Sequence, residues 1–213
     1  MKYLALSLVL LSNLTLADVS ITPGISVGAM SYENGFIEYS SESIAFNTTI
    51  SNQDGLFLDG EYRMDGNEVL TRTDIAFTAG KRFAKSGVIA FVGYKITATE
   101  GEDENDENVR VDFSSTGVFG GLSKSFQIMD TSSISLSGAV GNMAAELSTE
   151  KQSVNEEYST SAVGMTAGIA FNTWFSNGNV ISLGAKVQEY NYDIDEVQGE
   201  TIKTLYAKFS FQL

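Results

Sequence analysis

The stretch Thr204-Leu-Tyr-Ala-Lys-Phe-Ser-Phe-Gln-Leu213 alternates apolar and polar side chains without interruption. A β-strand turns successive side chains to opposite faces, so this stretch predicts a strand with one apolar and one polar face. Its apolar row consists of Leu205, Ala207, Phe209, Phe211 and Leu213. A strand with a free edge of this kind promotes aggregation in water, so we expect it to pair on both sides and to close a sheet.

The same two-residue period repeats along residues 18–213, and helical periodicity is nearly absent. We count ten such segments of about 9 to 14 residues, the length that a tilted strand needs to cross a bilayer. The prediction is an all-β fold, a single antiparallel transmembrane up-and-down β-barrel of ten strands. Eight strands are the alternative, because the stretch 33–65 could hold one irregular excursion. A secreted β-sandwich is disfavoured, since its strands usually have about five or six residues.

One segment does not keep its period. The seventh, which begins near Ile134, loses its phase across Gly138–Ala145. An extra residue in one strand of a pair has this effect, so we predict a β-bulge there.

Residues 1–17 have the pattern of a secretory signal peptide. Lys2 precedes an apolar run from Leu4 to Leu11, and small residues precede a cleavage site that we predict after Ala17. The run is far too short for a membrane helix, and the rest of the chain has no run of about 18 apolar residues either. We therefore predict an exported protein whose residues 18–213 form one domain, a barrel if it enters a membrane.

Composition excludes several functions. The net charge of −14 argues against nucleic acid as a partner, because phosphate neutralisation needs Lys and Arg. The chain contains no His and no Cys, so Ser- and Cys-based hydrolysis lack their usual groups and zinc loses its two commonest ligands. Paired carboxylates could act as in glycosidases, but no acidic pair stands out. We expect no enzymatic activity, no catalytic residue, no cofactor and no dedicated metal site.

Three features together resemble a known class. They are the signal peptide ending at Ala17, the alternation over residues 18–213, and the final strand ending Phe209-Ser-Phe-Gln-Leu213. The chain resembles small bacterial outer-membrane β-barrels of the OmpA, OmpX and opacity-protein kind, whose last residue is usually Phe. The resemblance implies a location in the bacterial outer membrane, contact with its lipid and lipopolysaccharide, insertion by the barrel-assembly machinery, and a monomer. It also implies that the enzymes of this class, such as omptin proteases, depend on a His that this chain lacks.

The connections between predicted strands differ in chemistry between the two ends. One end has polar and mostly acidic connections, at Glu33–Ser41, Asp65–Glu68, Glu100–Asn108, Ser148–Glu157 and Asp193–Glu200. The other has short or basic ones, at Asn52–Gly55, Lys81–Gly87, Lys124–Ser132 and Ser176–Asn179, with Phe83, Phe126, Trp174 and Phe175 beside three of them. We interpret the first set as extracellular loops and the second as periplasmic turns flanked by an aromatic girdle.

Charged residues also occupy the polar faces of the strands. The predicted inward set is Asp59, Glu61, Arg63, Arg72, Asp74, Lys95, Arg110, Asp112, Lys186 and Lys208. Isolated buried charges are costly and small barrels are usually filled with side chains, so we expect a salt-bridged network that fills the lumen. The alternative is a narrow pore with a slight preference for anions.

The excess acid lies in the predicted outer loops. Six carboxylates fall within Glu100–Asn108, and we place Glu146, Glu150, Glu156, Glu157, Asp193, Asp195, Glu196 and Glu200 at the same end. We expect solvated loops whose like charges repel. The alternative is weak Ca²⁺ or Mg²⁺ association that bridges the loops to lipopolysaccharide, without the Gly and Glu spacing of an EF-hand. The sequence thus predicts a non-enzymatic outer-membrane barrel with a structural or surface-interaction role (adhesion, surface charge or recognition), or alternatively a narrow porin-like channel.

Overall fold

Ten strands form one closed antiparallel barrel in which each strand pairs with its sequence neighbours and β1 pairs with β10. The structure is a computed structural model that describes residues 19–33, 38–67, 70–103, 106–151, 154–192 and 199–212, apart from the side chains of 102–111, 147, 149–151 and 154–157. The strands are β1 (Val19–Glu33), β2 (Glu38–Asn52), β3 (Leu56–Gly66), β4 (Leu70–Phe83), β5 (Val88–Asp103), β6 (Asp106–Met129), β7 (Ser132–Lys151), β8 (Val154–Trp174), β9 (Val180–Tyr192) and β10 (Glu200–Ser210). The ten-strand prediction is confirmed and the eight-strand alternative is wrong. The predicted signal peptide lies outside the described residues.

The register sets the tilt of the strands. A path that starts at Ile21 and steps to the paired residue on each next strand returns to β1 at Glu33, twelve residues further along. With ordinary strand spacing, a stagger of twelve in a ten-stranded barrel means a tilt of about 40°. We call the end with the connections 53–55, 84–87, 130–131 and 175–179 the turn end, and the opposite end the loop end. No helix within the described ranges is long and apolar enough to cross a membrane.

Large apolar side chains on the outer face are exposed. Val27, Phe77 and Leu205 have exposed fractions of 54%, 59% and 65%. Together with their neighbours they form a continuous apolar belt of about eight to ten residues per strand, which the tilt converts into a height of about 20–25 Å. Soluble monomers rarely expose an apolar surface of this size, whereas it matches the lipid-facing band of outer-membrane barrels. The barrel is therefore built to span a membrane.

Aromatic side chains mark the turn-end boundary of this belt. Phe83, Phe126, Trp174 and Phe175 are all exposed there, which confirms the predicted girdle. The Lys124 ammonium lies 5.1 Å from the centroid of the Phe126 ring. Aromatic rings beside cations suit the interface between hydrocarbon and polar headgroups.

Three strands rise beyond the belt at the loop end. β6, β7 and β8 have 24, 20 and 21 residues. The predicted loops Glu100–Asn108 and Ser148–Glu157 are consequently wrong in extent, because paired strands occupy most of both stretches. Main-chain hydrogen bonds continue the sheet along these stretches. Their residues are mostly polar, so the sequence lacks the alternation of apolar and polar residues that would reveal a strand. We call the part of β5–β8 beyond the belt the loop-end wall.

The predicted bulge is also wrong. Gly138–Ala145 pairs without interruption with β6 and with β8. The register shifts lie instead at Glu102/Asp103 and at Gln127/Met129. The apparent loss of phase arises because β7 leaves the belt near Asn142, beyond which lipid no longer requires apolar residues on the outer face.

Candidate functional site: the lumen

A cluster of buried side chains fills the lumen at the level where the strands leave the apolar belt. Its members all lie on the inner face: Met30, Tyr32, Tyr39, Met143, Ala162, Tyr190 and Ile202. The rings of Tyr32 and Tyr39, which are paired residues of β1 and β2, stack with centroids 5.0 Å apart. Close packing of this kind narrows the lumen at this level.

A chain of ion pairs runs through the same level. The Arg72 side chain, 1% exposed, has its Nε 3.3 Å from Asp74 Oδ1 and its Nη1 3.6 Å from Glu200 Oε1. The second carboxylate oxygen of Asp74 lies 2.8 Å from Lys95 Nζ. The Tyr32 hydroxyl donates a hydrogen bond of 2.9 Å to Glu200 Oε2. We call this ion-pair chain, together with the buried cluster, the lumen plug.

Further hydrogen bonds join the ion-pair chain to the buried cluster within the plug. Lys95 Nζ donates to the Tyr190 hydroxyl at 3.3 Å, and Gln188 Nε2 donates to the same oxygen at 3.0 Å. A separate ion pair joins Arg63 Nη2 to Glu61 Oε1 at 3.0 Å. The predicted salt-bridged network inside the barrel is therefore confirmed.

Most of the predicted inward charges lie on the inner face. These are Asp59, Glu61, Arg63, Arg72, Asp74, Lys95, Lys186 and Lys208. Asp112 is an exception: it lies on the outer face, because Phe113 shares the inner face with Ser115 and packs edge-to-face on Tyr192 at 5.8 Å. This part of β6 is above the belt, so the apolar residue turns inward to help seal the lumen. The side chain of Arg110 lies outside the described residues.

Three inward charges were missed by the sequence-based assignment: Asp65, Arg82 and Glu200. Asp65 and Glu200 are each only 3% exposed. Placing Glu200 in an acidic outer loop is wrong, since β10 begins at this residue and turns it inward with Ile202 and Thr204. The alternation Glu200, Ile202, Thr204 carried the signal, but the charge of Glu200 made a loop the simpler interpretation.

Between the plug and the turn end the lumen contains a cavity of about 530 Å³, which we call the turn-end cavity. Its lining reaches from Phe57 and the exposed Arg82 near the turn end to Tyr190, which belongs to the plug. Neither Arg72 nor Glu200 lines it. Within the described residues the cavity therefore lies on the turn-end side of the plug and reaches the exposed Arg82.

Five aromatic side chains lie flat against the inner wall, each over a glycine directly paired with it on the neighbouring strand. The pairs are Phe57 with Gly80, Phe91 with Gly121, Phe119 with Gly93, Tyr190 with Gly164, and Tyr206 with Gly184. A Cβ added at Gly93 would lie 2.3 Å from the Phe119 ring and 2.6 Å from the Phe77 carbonyl oxygen. The missing side chain lets each ring lie along the wall, so that the cavity stays open.

This arrangement predicts the effect of a single methyl group. Gly93→Ala should lower the free energy of unfolding by about 1–3 kcal/mol, because the Phe119 ring and the β4 backbone must both move. The matched control is Gly60→Ala on the outer face, where the new Cβ would meet only Phe77 at 3.9 Å; we expect a change within about 0.5 kcal/mol. Urea unfolding in detergent micelles measures both, and equal losses would show that the ring contact is not the cause.

The architecture is shared with solved outer-membrane proteins. The outer membrane protease OmpT from Escherichia coli matches with a TM-score of 0.62 and 6% identity, over 91% of this chain and 97% of that one. The translocator domain of the autotransporter NalP from Neisseria meningitidis matches with a TM-score of 0.56 and 10% identity, over 98% and 92% of the two chains. Ail, the attachment invasion locus protein of Yersinia pestis, gives a TM-score of 0.47 at 16% identity, over 91% and 98%.

No family model matches the chain, and no curated protein matches it. At identities of 16% or less, these matches show a likeness of fold alone. The chain thus has the fold of the outer-membrane β-barrels, the class that its sequence resembles. Within the described residues no group of three or more His, Cys, Asp or Glu is placed to hold a metal ion.

Proposed function

We propose that the protein is an integral outer-membrane barrel that does not conduct and that presents an anionic surface to the exterior. The lumen plug is the observation that carries this proposal. A solute passing along the axis would have to separate the Arg72 guanidinium from Asp74 and Glu200, all of them buried. Breaking a buried ion pair without replacing a partner costs about 3–5 kcal/mol, so the closed state is strongly favoured.

The loop-end wall supports the surface role. The chain carries a net charge of −14, and the plug combines acidic and basic groups in nearly equal number, so the excess of acid belongs to other parts of the chain. The wall includes exposed Glu100 and Glu146, and the sequence 102–107, which follows Gly101 of β5, is acidic. A projecting acidic sheet would attract cationic partners over about one Debye length. It would also associate weakly with Ca²⁺ or Mg²⁺ beside lipopolysaccharide.

The remaining parts of the proposal follow from the sequence. Residues 1–17 would direct export, and the barrel-assembly machinery would insert the chain as a monomer with its loop end outside. We further infer that the protein is not an enzyme, because the chain has no His to serve as the base that a Ser nucleophile usually needs. The likeness to OmpT is one of fold and does not alter this inference.

Planar-bilayer recording of the refolded protein tests the closed lumen. We expect no reproducible conductance steps in molar KCl, because an ion would have to separate the buried pairs of the plug. Regular steps of uniform size would overturn this part of the proposal and favour the narrow channel.

A second measurement tests the surface role. We expect a variant with Glu102→Gln, Glu104→Gln, Asp106→Asn and Glu107→Gln to reduce the binding of fluorescent polylysine to intact cells that display the protein. Asp54→Asn with Asp130→Asn changes two carboxylates at the turn end and should leave that binding unchanged. Equal binding by all three proteins would contradict an anionic outer surface formed by this hairpin.

A further inference from the structure

We propose that the turn-end cavity binds a small amphipathic anion, with the anionic group at Lys186 and Lys208 and the apolar part against Phe57, Phe91 and Phe119. This inference concerns the opposite end of the lumen from the surface role and does not depend on it. The cavity combines unbridged positive charge with an aromatic wall.

Outside its ion pairs, the lining of the turn-end cavity carries more positive than negative charge. Four basic and three acidic residues line the cavity. Two of the acids are already bridged, Glu61 by Arg63 and Asp74 by Lys95. The third, Asp59, accepts a hydrogen bond from the Thr49 hydroxyl.

Three of the four basic residues are available to pair with an anionic ligand. Among the described residues, Lys186, Lys208 and Arg82 make no salt bridge. Ammonium groups inside a barrel are partly removed from water, so a charged partner stabilises them more than it would at the surface. In a chain with a net charge of −14, such a local excess of cations indicates an anionic ligand.

The cationic and the aromatic side chains lie on opposite sides of the lumen. Lys186 and Lys208 lie on β9 and β10, whereas Phe91 and Phe119 lie on β5 and β6 with ring centroids 6.3 Å apart. β5 and β10 are five places apart in the ring of ten strands, so they face each other across the lumen. A ligand with one apolar side and one anionic group can contact both walls at once.

The size and access of the cavity fit a small molecule. Its volume of about 530 Å³ lies within the range of about 300–1,000 Å³ that is usual for ligand sites. The plug lies at the inner end, so the proposal places entry at the turn end. Arg82, exposed at that end, would attract an anion towards the mouth.

A carboxylate or a phosphate monoester on a short alkyl chain has the required chemistry. The first would come from a free fatty acid and the second from a phospholipid fragment, and both meet the same two lysines. Octanoate and octyl phosphate are therefore the two probes, and octanol is the uncharged analogue. Tighter binding of octanoate would indicate a fatty acid as the natural ligand, and tighter binding of octyl phosphate would indicate a phospholipid fragment. The binding site would be the same in both cases.

The test is calorimetric titration of the barrel in nanodiscs, with the heat from empty nanodiscs subtracted. We expect saturable binding of one anion per barrel, at least tenfold weaker for octanol. Lys186→Gln with Lys208→Gln should weaken the binding of the anions at least tenfold. The matched control, Lys81→Gln with Lys124→Gln, removes two lysines on the outer face near the same end and should leave binding unchanged.

A second variant separates loss of the site from loss of the fold. Thr166→Trp enlarges a side chain that lines the cavity and changes no charge, so it should also abolish binding. Retained heat-modifiable migration on electrophoresis would show that each variant is folded. The proposal is overturned by the absence of saturable binding to the unchanged protein, by equal affinity for octanol, or by unchanged affinity in both folded cavity variants.

Discussion

Arg72→Ala should lower the free energy of unfolding by about 3–5 kcal/mol, the cost of removing one partner from a buried ion pair. Arg72 is 1% exposed and lies between Asp74 and Glu200. Without it, the Glu200 carboxylate would remain buried with the Tyr32 hydroxyl as its donor and no cation from Arg72. Asp74 would keep its contact with Lys95, so the larger part of the loss should come from Glu200.

Urea unfolding of the barrel in lipid vesicles measures this effect. The matched control is Lys203→Ala, which removes the exposed pair of Lys203 Nζ with Glu33 Oε2 at 3.8 Å. Solvent screens exposed pairs, so the control should change stability by less than about 1 kcal/mol. If the two variants lost stability equally, the ion pairs of the lumen would not be stabilising the plug.

Val92→Arg should destabilise the barrel by about 2–4 kcal/mol, the cost of an Arg facing lipid near the middle of a bilayer. Val92 is 57% exposed and lies within the apolar belt, paired with Ala79 on one side and with Gly120 on the other. In a water-soluble barrel the same exposed substitution would be nearly neutral. The prediction therefore tests whether the belt faces hydrocarbon.

The control for this substitution lies on the same strand and the same face. Ala98→Arg is exposed six residues nearer the loop end, where the belt has ended, and should cost at most about 1 kcal/mol. We expect Val92→Arg to be less stable than Ala98→Arg both in lipid vesicles and in a detergent with a thinner apolar layer. A Val92→Arg variant as stable as the Ala98→Arg variant would contradict a lipid-facing belt.

Much of the barrel could be predicted from the sequence because lipid imposes one simple rule on each strand. Within the belt every second residue must be apolar, so Val27, Leu205 and the other outward residues define the strand and its phase together. The inward positions of Lys186 and Lys208 follow from the same rule. Above the belt the rule no longer applies, and the predictions for Asp112 and Glu200 failed there.

The stretch from Thr204 to Ser210, the larger part of β10, illustrates both limits. Its alternation by itself determined that Leu205 faces outward and Lys208 inward, because a period of two leaves no other choice beside lipid. Only the tertiary structure decided that Glu200, at the start of the same strand, meets Arg72 of β4. Local alternation assigns a side chain to a face, whereas its partner across the lumen depends on strand number, stagger and closure. Those properties belong to the whole ring, and they decide which inward side chains meet to form the plug.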